Sequence, residues 1–361
     1  MVSGAGGQEP GPGAGAMSLQ GPDDRKKLIT LEFETGLPER LICRERKIAM
    51  IASSHMAFWA CIAGALLAMG LMADSVHASS IPGADMTCDI LYGRAGDENL
   101  YLDLYKPQWI QKPAPLAVWI HGGGWVQGSR SQLGPGADEL ISRGFIVASL
   151  DYRLAPKYPW PAQIDDVRRA IDFLCSNADH YNIDADRIGV WGGSAGAHLA
   201  SLLGLAVIYD GAATLRRVKA VVDFCGPSDL LSLDFPEPLQ RMLEAVFPPG
   251  DLQKEMLKEA SPVEYVTADA PPFLIIHGEY DNLVPPAQAQ LFYTRLLKAG
   301  VPAELIIVKN AGHGFQPVNG KPSLTRTQMG HLVVEFFNKN LQSVKDLPGK
   351  EPLRPGVSNR Q

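Results

Sequence analysis

Residues 186–200 read DRIGVWGGSAGAHLA, an apolar run typical of a strand, then a turn around Ser194, then an apolar run typical of a helix. The pattern Gly192-x-Ser194-x-Gly196 favours a sharp strand-to-helix turn, because small residues let the two elements close tightly around the serine. Such a turn exposes the serine Oγ above the helix N-terminus. Glycine-serine turns are also common without any chemistry, so the strand and helix on either side are what favour a nucleophile here.

Short apolar runs lie on both sides of this turn and alternate with amphipathic stretches. Several runs are apolar at nearly every position, as expected for parallel strands covered on both faces of a sheet. The alternation predicts an α/β fold, a mostly parallel twisted sheet with helices on both faces. The predicted strands are 100–105, 116–120, 145–150, 188–191, 220–224, 273–277 and 305–308, and the predicted helices are 136–143, 161–177, 195–208, 286–299 and 325–341.

The segment 121–125, HGGGW, follows the predicted strand 116–120. Three consecutive glycines free the backbone to point N–H groups at a developing oxyanion. A nucleotide site is disfavoured, because neither a following Lys-Ser/Thr pair nor the G-x-G-x-x-G spacing is present. His121 precedes the glycines, so we expect it to anchor the loop through a local hydrogen bond rather than to act as a base.

Two further polar residues follow predicted strands: Asp281 comes after 273–277, and His313 comes after 305–308. With Ser194 they give the chain order nucleophile, acid, base, each just beyond the carboxyl end of a strand, where ligands bind in open α/β sheets. A serine needs an imidazole to accept its proton, and the imidazole needs a carboxylate to fix its tautomer. The three residues therefore form a candidate catalytic triad.

Each member of this set has a simpler alternative. Asp281 stands beside an asparagine, as turn-forming aspartates do, and Glu279 is a rival acid. His277 is interpreted as a hydrogen-bonded histidine at a strand end. His198, four residues after the serine, has the reach to enter the site but is expected to pack beneath it.

The joint pattern resembles the α/β-hydrolase superfamily, in particular esterases and lipases with an HGGG oxyanion loop. It is most similar to bacterial esterases described as feruloyl-esterase-like or acetyl-xylan-esterase-like. The similarity runs from about 89 to 340 and includes YGRAGDENLYLDLYKP, HGGGW, SLDYRLAPKYPWPAQIDDVRRAI, DRIGVWGGSAGAHLA, VVDFCGPSDL, APPFLIIHGEYDNLVP and KNAGHGF. One departure is Ala197, where a further glycine is expected. The alanine methyl group leaves less space for packing at the start of the helix.

The resemblance implies a serine carboxylesterase that works through an acyl-enzyme and needs no metal or cofactor. It makes Ser194 the nucleophile, His313 the general base and acid, and Asp281 the carboxylate that orients the imidazole. The implied substrates are small-molecule or polysaccharide-linked esters with short acyl or aryl groups, such as acetyl or feruloyl groups on plant polysaccharide. Two other functions stay open: hydrolysis of N-formyl amides, as in kynurenine formamidases, and a non-catalytic hydrolase-fold module that binds a ligand.

The resemblance also assigns residues around the triad. It places the oxyanion-hole N–H groups on Gly123, Gly124 and Ala195. Trp125 is a candidate wall of the substrate pocket, with a core aromatic as the equal alternative. The stretch 226–270, rich in Pro, Leu and Met, is expected to form a lid or cap that shapes the pocket and favours short acyl chains.

The composition limits the function classes. The chain has 361 residues, 46% hydrophobic and 20% charged, as in ordinary globular proteins. A net charge of −6 argues against a nucleic-acid partner, which would need a basic face. Five scattered cysteines without zinc-ligand spacing argue against a disulfide scaffold or a structural metal site.

The N-terminal part of the chain is expected to lie outside the fold. Residues 1–47 predict a disordered extension. Residues 48–78 contain an uncharged apolar stretch, 56–73, which follows a basic flank and precedes an A-x-A-like end. This predicts a signal peptide and an exported protein, periplasmic or secreted, with a single transmembrane anchor as the alternative. The predicted catalytic domain is 79–341, whose three cysteines allow at most one disulfide, and 342–361 is a predicted flexible tail.

Overall fold

The apolar runs of the sequence form the strands of one sheet. The computed structural model describes residues 81–205, 218–232 and 235–342. Its strands are β1 (Ala84–Ala95), β2 (Glu98–Pro107), β3 (Ala114–Ile120), β4 (Ile146–Leu150), β5 (Ile183–Gly193), β6 (Val218–Phe224), β7 (Phe273–Gly278) and β8 (Ala303–Val308). They pair in the order β1-β2-β4-β3-β5-β6-β7-β8. β2 is antiparallel to both β1 and β4. The other five pairs, which join β3 to β8, are parallel.

Helices cover both faces of this sheet. In the described ranges they are α1 (Ala137–Ser142), α2 (Ala162–Ser176), α3 (Ala178–Tyr181), α4 (Ala195–Gly204), α5 (Glu237–Val246), α6 (Gln253–Glu259), α7 (Pro286–Lys298) and α8 (Arg326–Leu341), with a 3-10 turn at Pro262–Tyr265. Alternate residues of β3 enter two separate cores: Leu116 and Val118 pack with α2, α4 and α7, whereas Ala117 and Trp119 pack with α1 and α8. The predicted mostly parallel α/β sheet is therefore confirmed.

Every predicted strand and helix has a counterpart in the described ranges, with shifts of up to about five residues at the ends. Residues 206–208 of the predicted helix 195–208 lie outside the described residues. The sequence analysis missed β1, because this edge strand leaves most of its residues at least partly exposed and has no continuous apolar run. It also missed the short helices α3, α5 and α6. The missed elements lie at the edge of the sheet or in connections, where burial on one side only weakens the hydrophobic pattern.

The register brings the candidate residues to one edge. In the parallel part of the sheet Ile120 pairs with Gly192, Gly193 pairs with Phe224, and Gly278 pairs with Val308. The carboxyl ends of β3, β5, β6, β7 and β8 therefore meet there. All the turns that follow these strands open at this edge, as ligand sites in open α/β sheets do.

The stretch 226–270 contains α5, α6 and the 3-10 turn, and α5 buries one apolar side of itself in the core. The amide of Trp160 donates to the carbonyl oxygen of Val246 over 2.9 Å, which ties the end of α5 to the domain. A Cβ placed on Gly124 would lie 2.5 Å from the Met242 sulfur, so α5 packs directly on the glycine loop. Whether this segment moves as a lid stays a prediction.

The predictions for 1–47, 48–78 and 343–361 lie outside the described residues. No helix within the described ranges is long and apolar enough to cross a bilayer. None of the three cysteines in the described ranges, Cys88, Cys175 and Cys225, forms a disulfide.

Candidate active site

Ser194 occupies a strained turn between β5 and α4. Its backbone has φ 54° and ψ −118°, a region that non-glycine residues rarely adopt. A Cβ on Gly192 would lie 2.3 Å from the carbonyl carbon of Gly196, and one on Gly196 would lie 2.1 Å from the Ile120 oxygen. Both positions therefore require glycine, because strand, helix and β3 approach each other too closely for a side chain. This contact explains the G-x-S-x-G spacing.

Three side chains from separate strand ends form a hydrogen-bonded chain. Ser194 Oγ lies 2.9 Å from His313 Nε2, and His313 Nδ1 lies 2.7 Å from Asp281 Oδ2. A carboxylate accepts only, so Nδ1–H donates to Asp281, and Nε2 is left to accept the proton of the serine. All three residues are buried, and they come from the β5, β7 and β8 turns. The structure thus brings the predicted triad residues together.

Asp281 is surrounded by donors. The backbone N–H groups of Leu283 and Val284 donate to its Oδ1 over 2.9 and 2.8 Å, while His313 and His277 donate to Oδ2. Burial alone would raise the pKa of this carboxyl, but the adjacent His313 and the hydrogen bonds from both histidines outweigh it. They hold the pKa of Asp281 well below its usual range, so the group stays ionised.

His277 is a site residue whose contact with the acid the sequence analysis did not predict. Its ring is fully buried, and its Nε2 lies 2.9 Å from the Val284 carbonyl oxygen and 3.1 Å from Asp281 Oδ2. Since both neighbours are acceptors, Nε2 carries the proton. The signal in the sequence was the spacing HGEYD, which sets a histidine four residues before the acid across a tight turn.

One cluster here has the ligand types of a metal site. Cys225, His277 and Asp281 each offer one atom, and these atoms lie within 4.8 Å of one another. The donor set fits a metal poorly, because Nε2 of His277 and both oxygens of Asp281 are taken up by hydrogen bonds. Burial also raises the pKa of the Cys225 thiol well above its usual value, which disfavours the thiolate that a metal needs.

The rival residues lie elsewhere. Glu279 is exposed, and its carboxylate accepts from the Asn310 amide over 3.0 Å rather than from the triad histidine. His198 is fully buried beneath the site, where its Nε2 donates to the Ala260 carbonyl oxygen over 2.6 Å. His121 donates from Nδ1 to the Gly122 oxygen over 2.8 Å, which confirms the expected local anchor. Of the candidate acids and bases, Asp281 and His313 are the two that lie in the hydrogen-bonded chain with Ser194.

The expected oxyanion donors lie beside the serine. Gly123 lines the cavity together with Ser194, and Gly124 and Ala195 directly follow these two residues. Within the described part of the chain, no acceptor takes the N–H of Gly123, Gly124 or Ala195. The amide of Ala195 is also the first of α4, where helix N–H groups lack internal partners.

A cavity of about 550 Å³ opens at Ser194 and His313. Its walls are the segments 127–135 and 314–329, with the side chains of Trp119 and Phe224 completing the apolar part. No described residue of 226–270 lines this cavity, and Phe224 is the last residue of β6. The loops after β3 and β8 therefore shape this cavity, contrary to the expectation for 226–270.

Trp125 is a core aromatic, the second of its two predicted roles. It is buried in the core that contains α2 and α4, where its indole meets the His198 ring edge-on at 5.1 Å. It is absent from the lining of the cavity at Ser194. The interpretation of Trp125 as a pocket wall is therefore corrected for this cavity, because its side chain is buried in the core.

Comparison with known proteins agrees with this geometry. Residues 102–296, more than half of the chain, match the family model BD-FAE. The chain belongs to the BD-FAE family. The matched range includes the glycine loop, Ser194 and Asp281, whereas His313 follows it. The BD-FAE match thus covers the β2 to α7 part of the fold.

Individual proteins resemble this BD-FAE chain over most of the described domain. Esterase LipC of Mycobacterium tuberculosis is 35% identical over 69% of this chain, and the chain spans 64% of LipC. A truncated carbohydrate esterase from gut microbiota aligns with TM-score 0.61 and 28% identity, over 72% of this chain and 98% of that one. Esterase 2 of Thermogutta terrifontis, phosphonylated by sarin, aligns with TM-score 0.61 and 26% identity, over 75% and 99%.

Proposed function

We propose that this protein is a serine carboxylesterase. The observation that carries the proposal is the hydrogen-bonded chain from Ser194 through His313 to Asp281 at the mouth of a cavity. Its geometry serves nucleophilic attack, because the base lies within hydrogen-bond reach of the nucleophile and is itself oriented by a carboxylate.

In the proposed reaction, Ser194 Oγ attacks the ester carbonyl carbon while His313 Nε2 takes the hydroxyl proton. The carbonyl oxygen becomes an oxyanion that accepts hydrogen bonds from the backbone N–H groups of Gly123, Gly124 and Ala195. As the tetrahedral intermediate collapses, His313 gives the proton to the leaving alkoxide, and an alcohol departs. Loss of one such oxyanion donor costs about 3 kcal/mol of transition-state stabilisation in serine hydrolases.

A water molecule then attacks the acyl-enzyme and is deprotonated by His313. The second tetrahedral intermediate collapses, His313 returns a proton to Ser194 Oγ, and the acid is released. Asp281 stays ionised throughout, since its donors disfavour protonation, and it stabilises the imidazolium form of His313 in both steps.

The relatives support this chemistry. LipC is an esterase by name, and the Thermogutta protein is an esterase that sarin phosphonylates, a reaction that requires a nucleophile. Since the chain spans only part of the curated relative's length, the activity of the whole protein is inferred from its own triad.

For the substrate, we propose esters with short acyl or aryl groups, including acetyl and feruloyl groups on plant polysaccharide. The aromatic rings of Trp119, Phe224 and Phe315 line the cavity and suit an aryl acid, and its volume of about 550 Å³ is ample for one. The similarity to a carbohydrate esterase supports a polysaccharide-linked ester. Export through residues 48–78 is part of this proposal, and N-terminal sequencing of the mature protein tests it.

The full chain and its Ser194→Ala variant test the function. Both are assayed with p-nitrophenyl acetate and octanoate, methyl ferulate, acetylated xylan and N-formylkynurenine, and both are treated with a fluorophosphonate before mass spectrometry. We expect ester turnover and labelling at Ser194 in the parent protein, and neither in the variant. A folded parent without labelling would indicate a binding module, and selective turnover of N-formylkynurenine would indicate an amide hydrolase.

A further inference from the structure

The charged side chains that line the cavity at Ser194 carry one sign only. They are Lys321 and Arg326, both on the segment 314–329, and neither aspartate nor glutamate lines this cavity. This distribution runs against the composition of the chain, whose net charge is −6. The cavity is therefore a cationic opening in an acidic protein.

Lys321 is the cationic residue of the lining that is available to bind a ligand. Its residue is exposed, and its carbonyl oxygen accepts from Asn310 Nδ2 over 3.3 Å, which fixes the backbone at this point. The ammonium group forms no ion pair with any residue in the described ranges. The Glu279 carboxylate accepts from the backbone N–H of the same Asn310, but Glu279 does not line the cavity.

Arg326 holds the opposite wall in place. Its Nη2 donates to the carbonyl oxygen of Leu133 over 2.9 Å, so the start of α8 is joined to the loop 127–135. This bond links the two segments that form the walls of the cavity. Lys321 and Ser194 line the same cavity.

The rest of the lining is mostly apolar and includes the side chains of Trp119, Phe224, Phe315, Leu324 and Met329. A cleft with charge of one sign and walls of low dielectric concentrates the electric field and attracts ligands of opposite charge. The complementary molecule has an ester at one end, an apolar body, and an anionic group at the other end.

We propose that the preferred substrates are esters that carry a carboxylate separated from the scissile bond by an apolar body, with Lys321 as the residue that selects the charge. This inference rests on the proposed esterase function and names its substrate class. The apolar body lies along the aromatic side chains while Ser194 attacks the ester. Because Lys321 is exposed, its effect is modest and depends on salt.

Paired substrates test the charge preference in the full chain. Monomethyl succinate, adipate, suberate and sebacate place a carboxylate at increasing distance on the acyl side, and the dimethyl esters are their neutral counterparts. In a second arm, 6-acetoxyhexanoate carries the carboxylate on the alcohol side of the ester, and hexyl acetate is its neutral counterpart. At low salt we expect at least one chain length to show kcat/KM about fivefold higher for the anionic ester, a preference that fades towards 0.5 M NaCl.

Variants of one residue assign the preference. Lys321→Gln is expected to bring the ratio of anionic to neutral kcat/KM close to one, and Lys321→Glu to reverse it. Lys298→Gln, which removes an exposed lysine of α7 outside the cavity lining, is the matched control and keeps the parent's ratio. Turnover of the neutral esters without any anionic preference, or a preference that survives Lys321→Glu, would overturn this inference and leave the esterase intact. Failure to hydrolyse any ester would overturn both.

Discussion

His277 and Asp281 are joined through a 3.1 Å contact between Nε2 and Oδ2, and the same Nε2 lies 2.9 Å from the Val284 carbonyl oxygen. The histidine is the penultimate residue of β7, and Val284 ends the turn that carries the acid. One imidazole thus spans the turn and holds the carboxylate towards His313. The position of the acid depends on this buried contact as well as on the turn itself.

We therefore expect His277→Phe to lower kcat by about 10- to 100-fold with a smaller change in KM, since a lost hydrogen bond to a charged group costs about 1.5–3 kcal/mol. His277→Gln places an amide donor where Nε2 stood and should recover part of the loss. Steady-state kinetics across a pH range, with circular dichroism to verify folding, measures both variants. Equal activity of Phe and Gln variants would argue against a role for the donor.

Asp281→Asn should lower kcat by about 10⁴-fold, as in other triads, because the amide favours the wrong tautomer of His313. Glu279→Gln is the matched control two residues away, and it should change kcat by no more than a few fold, since its carboxylate bonds the Asn310 amide. Ester hydrolysis by the two purified variants gives the comparison. The reverse ranking would assign the acid to Glu279.

Gly196→Ala should destabilise the domain by several kcal/mol, because a Cβ there would lie 2.1 Å from a backbone oxygen of β3, which cannot move without breaking the sheet. Gly250→Ala is the control, since a Cβ at Gly250 meets nothing within 4 Å. Urea unfolding followed by fluorescence measures the free energy of unfolding of each variant. A stable Gly196→Ala protein would contradict the tight turn around Ser194.

The buried His198 predicts a dependence of stability on pH. Burial lowers its pKa from 6.5 to about 4, against the opposing bond to Ala260. Between these two pH values the unfolded chain binds a proton at His198 and the native protein does not. The contribution of His198 to the free energy of unfolding is therefore fully present above about pH 6.5 and is lost as the pH falls towards 4. The slope from this group is at most about 1.4 kcal/mol per pH unit.

Replacing this residue isolates its contribution. His198→Gln keeps a donor for the Ala260 oxygen but does not titrate, so its unfolding free energy should fall less steeply between pH 6.5 and 4 than that of the parent. Urea unfolding at several pH values tests this. Parallel pH profiles for the two proteins would show that His198 does not titrate on unfolding.

Much of the fold was predictable because its strands are covered on both faces. Runs such as 116–120 and 220–224 are apolar at nearly every position, a pattern that burial inside a parallel sheet imposes on the sequence. β1 was not predictable, because an edge strand with largely exposed residues carries little hydrophobic signal. The turn at Ser194 was also predictable from the sequence. Its two glycines, Gly192 and Gly196, are required because a side chain at either position would collide with the backbone of the turn or of β3.

The sequence by itself determined the parallel part of the sheet, the serine turn and the order of Ser194, Asp281 and His313, because residue type and spacing reflect local packing and chain order. Only the tertiary structure decided between Asp281 and Glu279, which lie two residues apart and differ in which way the turn directs them. It alone placed Trp125 in the core and gave the walls of the cavity to 127–135 and 314–329. These outcomes depend on contacts between segments far apart in the chain, and such contacts leave no periodic pattern in the sequence.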